Sequence, residues 1–149
     1  MNELSTKSEI AVSFGRSINE LRMQFRKHMQ GRIRSLDTHL TFEMLEVMMC
    51  LWRQDGVNQQ VIADITLRDK SAMTYLIDNL IKRGLIVRKE DERDRRNKLI
   101  FLTEEGKQMQ ETLQPWVAEM YDRATINMDM ASLAKGKELI EMMIRNLMN

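Results

Sequence analysis

The residues best suited to binding chemistry are arginines clustered between two short apolar runs. Arg93, Arg95 and Arg96 lie in one charged segment, with Asp94 among them. A guanidinium binds phosphate through parallel hydrogen bonds, and it also suits the negative potential of a narrow DNA minor groove. Asp94 is expected to hold one of these guanidiniums in a bidentate pair and so orient it. This cluster therefore predicts recognition of an anionic polymer.

Positive charge is concentrated around this cluster. Residues 82–98 contain eight basic and four acidic residues, a net charge of +4, whereas the whole chain of 149 residues carries only +1. The distribution of charge, more than its total, decides whether a surface attracts nucleic acid. A charged run alone is usually a solvated loop, so the neighbouring elements decide its meaning. The basic residues are Lys82, Arg83, Arg88, Lys89, Arg93, Arg95, Arg96 and Lys98.

The elements around the cluster predict a winged helix-turn-helix. The apolar runs 85–89 and 98–102 flank the charged loop and predict a β-hairpin. Before them we expect a helix capped by Thr41 and broken at Asp55-Gly56, then a short helix near 58–65, then a helix from Asp69 to Gly84. Val61, Ile62 and Ile65 are expected on one side of the short helix. Helix, short helix, helix and charged hairpin, in this order, are typical of the motif.

The helix that begins at Asp69 has one apolar face and one face suited to DNA. Met73, Leu76, Ile77 and Leu80 recur at helical spacing and predict burial. Small and hydroxylated side chains on the other face would let the helix approach base edges, where Ser and Thr form hydrogen bonds and Ala or Thr contacts a thymine methyl. The outward residues are Lys70, Ser71, Ala72, Thr74, Tyr75 and Asp78.

Long helices are predicted at both ends of the chain. The first carries an apolar stripe and is expected to stop at Gly31. After the hairpin, Thr103 should cap a helix that runs toward Ala124, with Pro115 expected to bend it, and a last helix lies near 130–148. Such stripes must pack on the chain or on a second subunit, and we expect an intersubunit bundle. The stripes are Ile10, Phe14, Ile18, Leu21, Phe25 and Met29 in the first helix, and Ile140, Ile144 and Leu147 in the last.

At these residues the sequence resembles the MarR family of bacterial transcription regulators. The resemblance runs from Asp69 to Leu80, through the stretch Lys82-Arg83-Gly84-Leu85-Ile86, and continues to Gly106. Its most specific parts are the wing motif D-x-R-D-R-R at 91–96 and L-T-x-x-G at 102–106. It also includes Leu40-Thr41 and the long terminal helices.

The resemblance implies a mainly α fold with a small β-hairpin wing, in one MarR-type domain over 1–149. Residues of about 40–106 would form the winged helix-turn-helix, and about 5–34 and 107–149 a helical dimerisation region. A homodimer would bind a pseudo-palindromic double-stranded DNA operator, as a repressor by expectation. Arg95 would enter the minor groove with Asp94 as its positioner, and Ser71, Ala72, Thr74 and Tyr75 would face the major groove. Tyr75 departs from the basic residue that many members carry there.

The sequence excludes several other classes of protein. One cysteine cannot form an intrachain disulfide framework, and six glycines with one proline disfavour a barrel or sandwich. No run approaches the roughly 18 apolar residues of a membrane helix, and the amino terminus lacks signal-peptide character. No nucleotide-binding glycine loop, G-x-S-x-G or H-E-x-x-H motif is present. We therefore expect a cytoplasmic, nucleoid-associated protein without enzymatic activity, cofactor or metal.

Three features of the sequence could indicate another function. Cys50 could make the protein a thiol-based redox sensor, but its place in an apolar helix favours an inert core cysteine. His28, His39 and Glu43 could suggest a metal site, but His39 should lie outside the helix that Thr41 caps. A winged helix can also bind protein, although arginines in the wing favour DNA. The 14 methionines are expected in the core, or could line a deformable pocket for a small aromatic effector.

Overall fold

The computed structural model describes residues 5–149 and contains a mainly α fold with a small antiparallel sheet. The chain separates into two compact units, Met1–Val117 and Ala118–Asn149. The predicted mainly α fold with a β-hairpin is thereby confirmed. The elements are α1 (Thr6–Ile33), α2 (Phe42–Arg53), β1 (Val57–Asn58), α3 (Gln59–Ile65), α4 (Lys70–Lys82), β2 (Ile86–Glu90), β3 (Lys98–Leu102), α5 (Glu104–Ala124) and α6 (Met130–Met148).

Side chains that accept hydrogen bonds from helical N–H groups define the helix starts. The Thr41 hydroxyl accepts from the Met44 N–H at 3.2 Å, as the sequence predicts. The Asp69 carboxylate accepts from the Ala72 N–H at 2.7 Å and begins α4. Each bond satisfies one of the backbone donors that a helix start leaves unpaired. Gly84 adopts a φ of +71° just after α4 and ends that helix as expected.

The first helix differs from the prediction at its end. The sequence suggests a stop at Gly31, but α1 continues to Ile33. Ile33 is buried, as is Met29 one turn earlier, so packing of the last turn extends the helix past the glycine. Weak helix propensity is easily overridden by such tertiary contacts.

The sheet contains one strand that the hairpin pattern did not predict. Strand β1 has only two residues and pairs antiparallel with β3, giving the order β1-β3-β2. The predicted hairpin is present, with Ile86 opposite Leu102 and Glu90 opposite Lys98. Strand β3 is therefore hydrogen-bonded on both sides and becomes the centre of the sheet.

The core of the unit Met1–Val117 lies between α2, α3, α4 and the sheet. In α3 the predicted apolar side is only partly correct, because Ile62 is buried with Ala63 while Val61 and Ile65 are exposed. No helix among residues 5–149 is long and apolar enough to cross a membrane. Side chains with no more than 1% exposure include Leu45, Met48, Leu51, Ile62, Met73, Ile77, Leu80, Ile86 and Ile100.

The unit Ala118–Asn149 contains the end of α5 and all of α6. Asp129 caps α6 by accepting from the Ser132 N–H at 2.6 Å. This contact lowers the pKa of the exposed Asp129 carboxyl, because a carboxylate accepts the bond better than a carboxylic acid does. No described side chain of α6 is buried in the single chain, including the predicted stripe residues Ile144 and Leu147.

Candidate nucleic-acid interface

Helix α4 presents the face that the sequence predicts. Met73, Leu76, Ile77 and Leu80 are at most 6% exposed and anchor the helix to the core. Because one side of the helix is fully used in packing, its opposite side must face solvent. Lys70, Ser71 and Tyr75 are exposed there, and Ala72 and Thr74 are half-buried. The structure thus leaves three of the five predicted residues of α4 exposed and two half-buried at the edges of the packed face.

The wing loop between β2 and β3 is shaped by two short polar side chains and a backbone hydrogen bond. Asp91 accepts from the Arg93 N–H at 3.0 Å, and Asp94 accepts from the Arg96 N–H at 3.0 Å. Asn97 donates its own N–H to the Asp94 carbonyl at 2.9 Å. Asp and Asn commonly form turns by binding backbone groups two or three residues away. These contacts hold the loop in one conformation without using the arginine side chains.

The predicted role of Asp94 needs correction. The sequence suggests a bidentate pair between its carboxylate and a neighbouring guanidinium. In the described part of the chain the carboxylate instead binds the backbone N–H of Arg96. A two-residue Asx turn forms locally and does not require ordering a long side chain, which makes it the less costly contact. Asp94 therefore shapes the backbone that carries Arg95 and does not grip a guanidinium.

The wing arginines are consequently available to an external anion. Arg93, Arg95 and Arg96 are all exposed, and within residues 5–149 no ion pair engages their side chains. Lys98 differs, since its ammonium lies 2.9 Å from the Glu90 carboxylate across the hairpin. That pair is surface-exposed and therefore weak, so a phosphate can replace it at little cost.

A polar network beneath α4 was missed by the sequence analysis. Gln59, at the start of α3, donates to the Thr74 hydroxyl at 3.1 Å and accepts from Arg88 at 3.2 Å. Arg88 also pairs with Asp78 of α4 at 3.0 Å. The sequence pattern counted Arg88 only as charge and gave no signal for Gln59, because the contacts join three elements that are distant along the chain.

A second missed contact ties the wing to the short helix. The Asn58 side-chain amide N–H donates to the Asn97 side-chain oxygen at 3.1 Å. The Asn58 side-chain oxygen caps α3 by accepting from the Gln60 N–H at 2.7 Å. One residue therefore fixes both the start of α3 and the base of the wing loop. The two surfaces predicted to contact DNA belong to one hydrogen-bonded frame.

The comparisons with known proteins agree with this geometry. The sequence model of the MarR family matches residues 40–98, from the residue before the Thr41 cap to the first residue of β3. This match shows that the winged helix-turn-helix segment is similar to the MarR family. The predicted resemblance is confirmed, and the matched segment contains every element of the winged helix-turn-helix except the end of β3.

Other similar proteins extend the similarity beyond the matched segment. The transcriptional regulator HosA of Escherichia coli is 23% identical over 134 residues, which cover 90% of this chain and 96% of HosA. CouR of Rhodococcus jostii RHA1, solved bound to p-coumaroyl-CoA, is 26% identical with a TM-score of 0.77, covering 86% of this chain and 89% of CouR. MepR of Staphylococcus aureus, solved in complex with DNA, is 21% identical with a TM-score of 0.76. The match covers 97% of this chain and 99% of MepR, and it shows that the fold is shared.

The metal alternative finds no cluster to support it. Among the described residues no group of three His, Cys, Asp or Glu side chains could hold a metal ion. Glu43 instead pairs with Arg26 of α1. His39 lies before the Thr41 cap and outside α2, as the sequence predicts. Its φ of +52° is incompatible with a right-handed α-helix.

Proposed function

We propose that this chain is a MarR-family transcription regulator that binds double-stranded DNA through α4 and the wing. The observation that carries the proposal is the pairing of an outward polar helix face with three unpaired, exposed arginines on one hydrogen-bonded frame. In this proposal the α4 residues read base edges and the wing residues contact phosphates and the minor groove. The proposed contacts are Lys70, Ser71, Ala72, Thr74 and Tyr75 from α4, and Arg93, Arg95, Arg96 and Lys98 from the wing, with Asp94 shaping the loop.

The working unit is proposed to be a homodimer on a pseudo-palindromic operator. Along α1, the last stripe residue, Met29, is buried, but Ile10 is 67% exposed and Leu21 50% exposed in the single chain. Helix α6 likewise exposes Leu147 at 88%. A soluble chain rarely leaves so much apolar surface uncovered, and a second copy would cover it. Two recognition helices would then reach major grooves about one helical turn apart.

An effector site is proposed in a cavity of the unit Met1–Val117. The cavity has a volume of about 420 Å³, within the range of small-molecule sites. Arg22 and Arg53 border it together with Trp52, so an aromatic carboxylate would find both charge and apolar surface there. The apolar and sulfur-containing lining residues are Met49, Cys50, Trp52, Ile65, Leu67 and Val117.

The cavity borders an ion-pair chain that leads toward α4. Glu46 lies 3.2 Å from Arg22 and 2.7 Å from Arg68, and Arg68 immediately precedes the Asp69 cap of α4. A bound carboxylate would compete with Glu46 for Arg22 and so disturb the start of the recognition helix. Such a ligand releases DNA only if it binds the DNA-free arrangement more tightly, and on this basis we propose a repressor that an effector inactivates.

The test begins with selection from a library of random duplexes, followed by salt titration of the enriched sequence. We expect one pseudo-palindromic sequence, with affinity falling steeply as salt rises. Arg95→Ala should weaken binding and lower the salt slope by about one unit per lost phosphate-like contact. Arg16→Ala, which removes the same charge from an exposed position on α1, is the matched control. A wing variant as tight as the wild type would contradict the assignment.

Two further outcomes separate other functions from this one. No enriched sequence, with specific capture of a protein instead, would make the winged helix a protein-binding module. Release of the selected duplex by an aromatic carboxylate such as 4-hydroxycinnamate, lost in Arg53→Ala, would establish the effector site. As a DNA-binding regulator the protein is expected to act in the cytoplasm on the nucleoid, without a catalytic role.

A further inference from the structure

The polar network beneath α4 forms a chain of hydrogen bonds that ends at the proposed reading surface. Asp78 holds the Arg88 guanidinium at 3.0 Å, and the same nitrogen, Nη2, donates to Gln59 Oε1 at 3.2 Å. Gln59 Nε2 then donates to Thr74 Oγ1 at 3.1 Å. Thr74 and Asp78 lie one turn apart on α4, Gln59 begins α3, and Arg88 lies in β2. Three elements therefore converge on one threonine hydroxyl.

The donor-only chemistry of arginine determines which atom donates and which accepts in each of these hydrogen bonds. A guanidinium carries only donors, so the Gln59 atom that faces Arg88 must be the carbonyl oxygen. The amide NH₂ of Gln59 is then turned toward Thr74, and the hydroxyl oxygen must accept. The ion pair with Asp78 keeps Arg88 in place. The orientation of the Gln59 amide thus follows from its neighbours and does not depend on distinguishing oxygen from nitrogen.

Because the Thr74 hydroxyl accepts from Gln59, its own hydrogen is still free to be donated. A threonine within a helix often donates to the carbonyl four residues earlier, as Thr112 does to Gln108 at 3.4 Å. In residues 5–149 no such bond engages Thr74, and Gln59 is its partner. Thr74 is half-buried on the outward face of α4, between the exposed Ser71 and Tyr75. Its remaining hydrogen is therefore available to an acceptor outside the described chain.

We propose that Gln59 is a positioning residue that makes Thr74 a hydrogen-bond donor toward a base edge in the major groove. The inference rests on the proposed DNA-binding function and specifies its chemistry. Thr74 should select a base that presents an acceptor, which is guanine N7 or O6, adenine N7 or thymine O4. It should disfavour positions where only an exocyclic amine of cytosine or adenine comes within reach, because two donors would then meet.

Gln59→Glu reverses the donor–acceptor direction of the hydrogen bond to Thr74 while keeping the shape of the side chain. A carboxylate still accepts from Arg88, but it has no hydrogen for Thr74, so the hydroxyl must donate to it and turn its lone pairs outward. A carboxylate in the first turn of α3 also suits the helix dipole, which supports folding of the variant. The reversal should move the base preference at one position of each half-site from an acceptor to an amine donor, by about three- to tenfold.

The experiment compares base-preference profiles from a random duplex library for four proteins. These are the wild type, Gln59→Glu, Thr74→Val and the double variant Gln59→Glu/Thr74→Val. Thr74→Val keeps the side-chain shape and removes the hydroxyl, so it should flatten the preference at that position. The double variant should match Thr74→Val, because without the hydroxyl Gln59 has nothing to orient. Gln60→Glu adds the same charge at the next, exposed position of α3 and should lower affinity without changing the profile.

The outcomes decide between this inference and its alternatives. A preference that moves in Gln59→Glu but not in the Thr74→Val background supports the proposal. An unchanged profile with uniformly lower affinity means that Thr74 meets a phosphate or no part of the DNA, and overturns it. A profile that moves equally in both backgrounds shows that Gln59 acts without Thr74, and also overturns it. If the wild type enriches no sequence, the proposed function itself fails, and the role of Gln59 fails with it.

Discussion

Gly106, in the first turn of α5, is packed so closely that even one added methyl group should destabilise the protein. A Cβ atom built there would lie 2.1 Å from the Leu85 carbonyl oxygen and 3.2 Å from Leu102 Cδ2. The same Leu85 carbonyl accepts from the Thr103 N–H at 3.1 Å, and the Thr103 hydroxyl caps α5 by accepting from the Gly106 N–H at 3.0 Å. Gly106→Ala therefore strikes backbone that two neighbouring contacts hold in place.

The expected change in the free energy of unfolding of Gly106→Ala is the sum of opposing contributions. Alanine in a helix is favoured over glycine by about 1 kcal/mol. Relief of the clash requires a backbone shift of about 1 Å, and overpacking of this kind costs roughly 1–3 kcal/mol. Weakening of the Thr103–Leu85 hydrogen bond adds about 1 kcal/mol. The clash should win, so we expect Gly106→Ala to lower the free energy of unfolding by about 1–3 kcal/mol.

Urea unfolding followed by tryptophan fluorescence measures this change, at equal protein concentrations because a dimer is expected. Gly31→Ala is the matched control, since Gly31 lies within α1 and an added Cβ meets no atom within 4 Å. That variant should be more stable by about 0.5–1 kcal/mol, the ordinary helix gain. If Gly106→Ala is as stable as the wild type, the close approach to Leu85 is not a constraint and the reasoning is refuted.

Three shorter predictions test other parts of the structure. Asp69→Ala removes the α4 cap and should cost about 1 kcal/mol of unfolding free energy, whereas Asp69→Ser should retain most of it; equal losses in urea unfolding would count against a capping role. Arg68→Ala removes the shorter ion pair of the Glu46 carboxylate, which is 17% exposed, and leaves its longer contact to Arg22. The variant should cost about 1–3 kcal/mol of unfolding free energy, and a neutral result would mean that solvent compensates. Burial raises the pKa of the Cys50 thiol, and the nearby Arg53 charge partly opposes this shift. A smaller fraction of Cys50 is therefore ionised at pH 8 than of an exposed cysteine. Alkylation by iodoacetamide should be slower than for N-acetylcysteine and should rise at higher pH, and a faster rate would revive the redox alternative.

The features predicted well from sequence are those that depend on neighbouring residues. The caps at Thr41 and Asp69 need only a side chain and an N–H two or three positions away, so local spacing reveals them. The apolar face of α4 follows from periodicity in the same way. The wing motif also predicted the similarity to the MarR family, because its residues are consecutive.

The features that sequence did not reveal join residues distant along the chain. Strand β1 is only two residues long, and its partner in β3 lies about forty positions away. The role of Gln59 depends on Arg88 and Thr74, which no spacing rule connects. The Asp94 prediction went wrong for the opposite reason, since a nearby backbone N–H competes better for the carboxylate than a flexible guanidinium does.

The pairing of β1 with β3 affects how the reading surface opens. The Gly56 N–H donates to the Ile100 carbonyl at 2.9 Å, and the Leu102 N–H donates to the Asp55 carboxylate at 2.9 Å. Helices α3 and α4 and the wing therefore lie on a chain segment whose two ends are hydrogen-bonded together. Amide hydrogens in the middle of α4 should exchange with solvent only when this whole closed segment opens cooperatively, and not by fraying from one end. The proposed DNA-binding surface should therefore form or be lost as one cooperative unit.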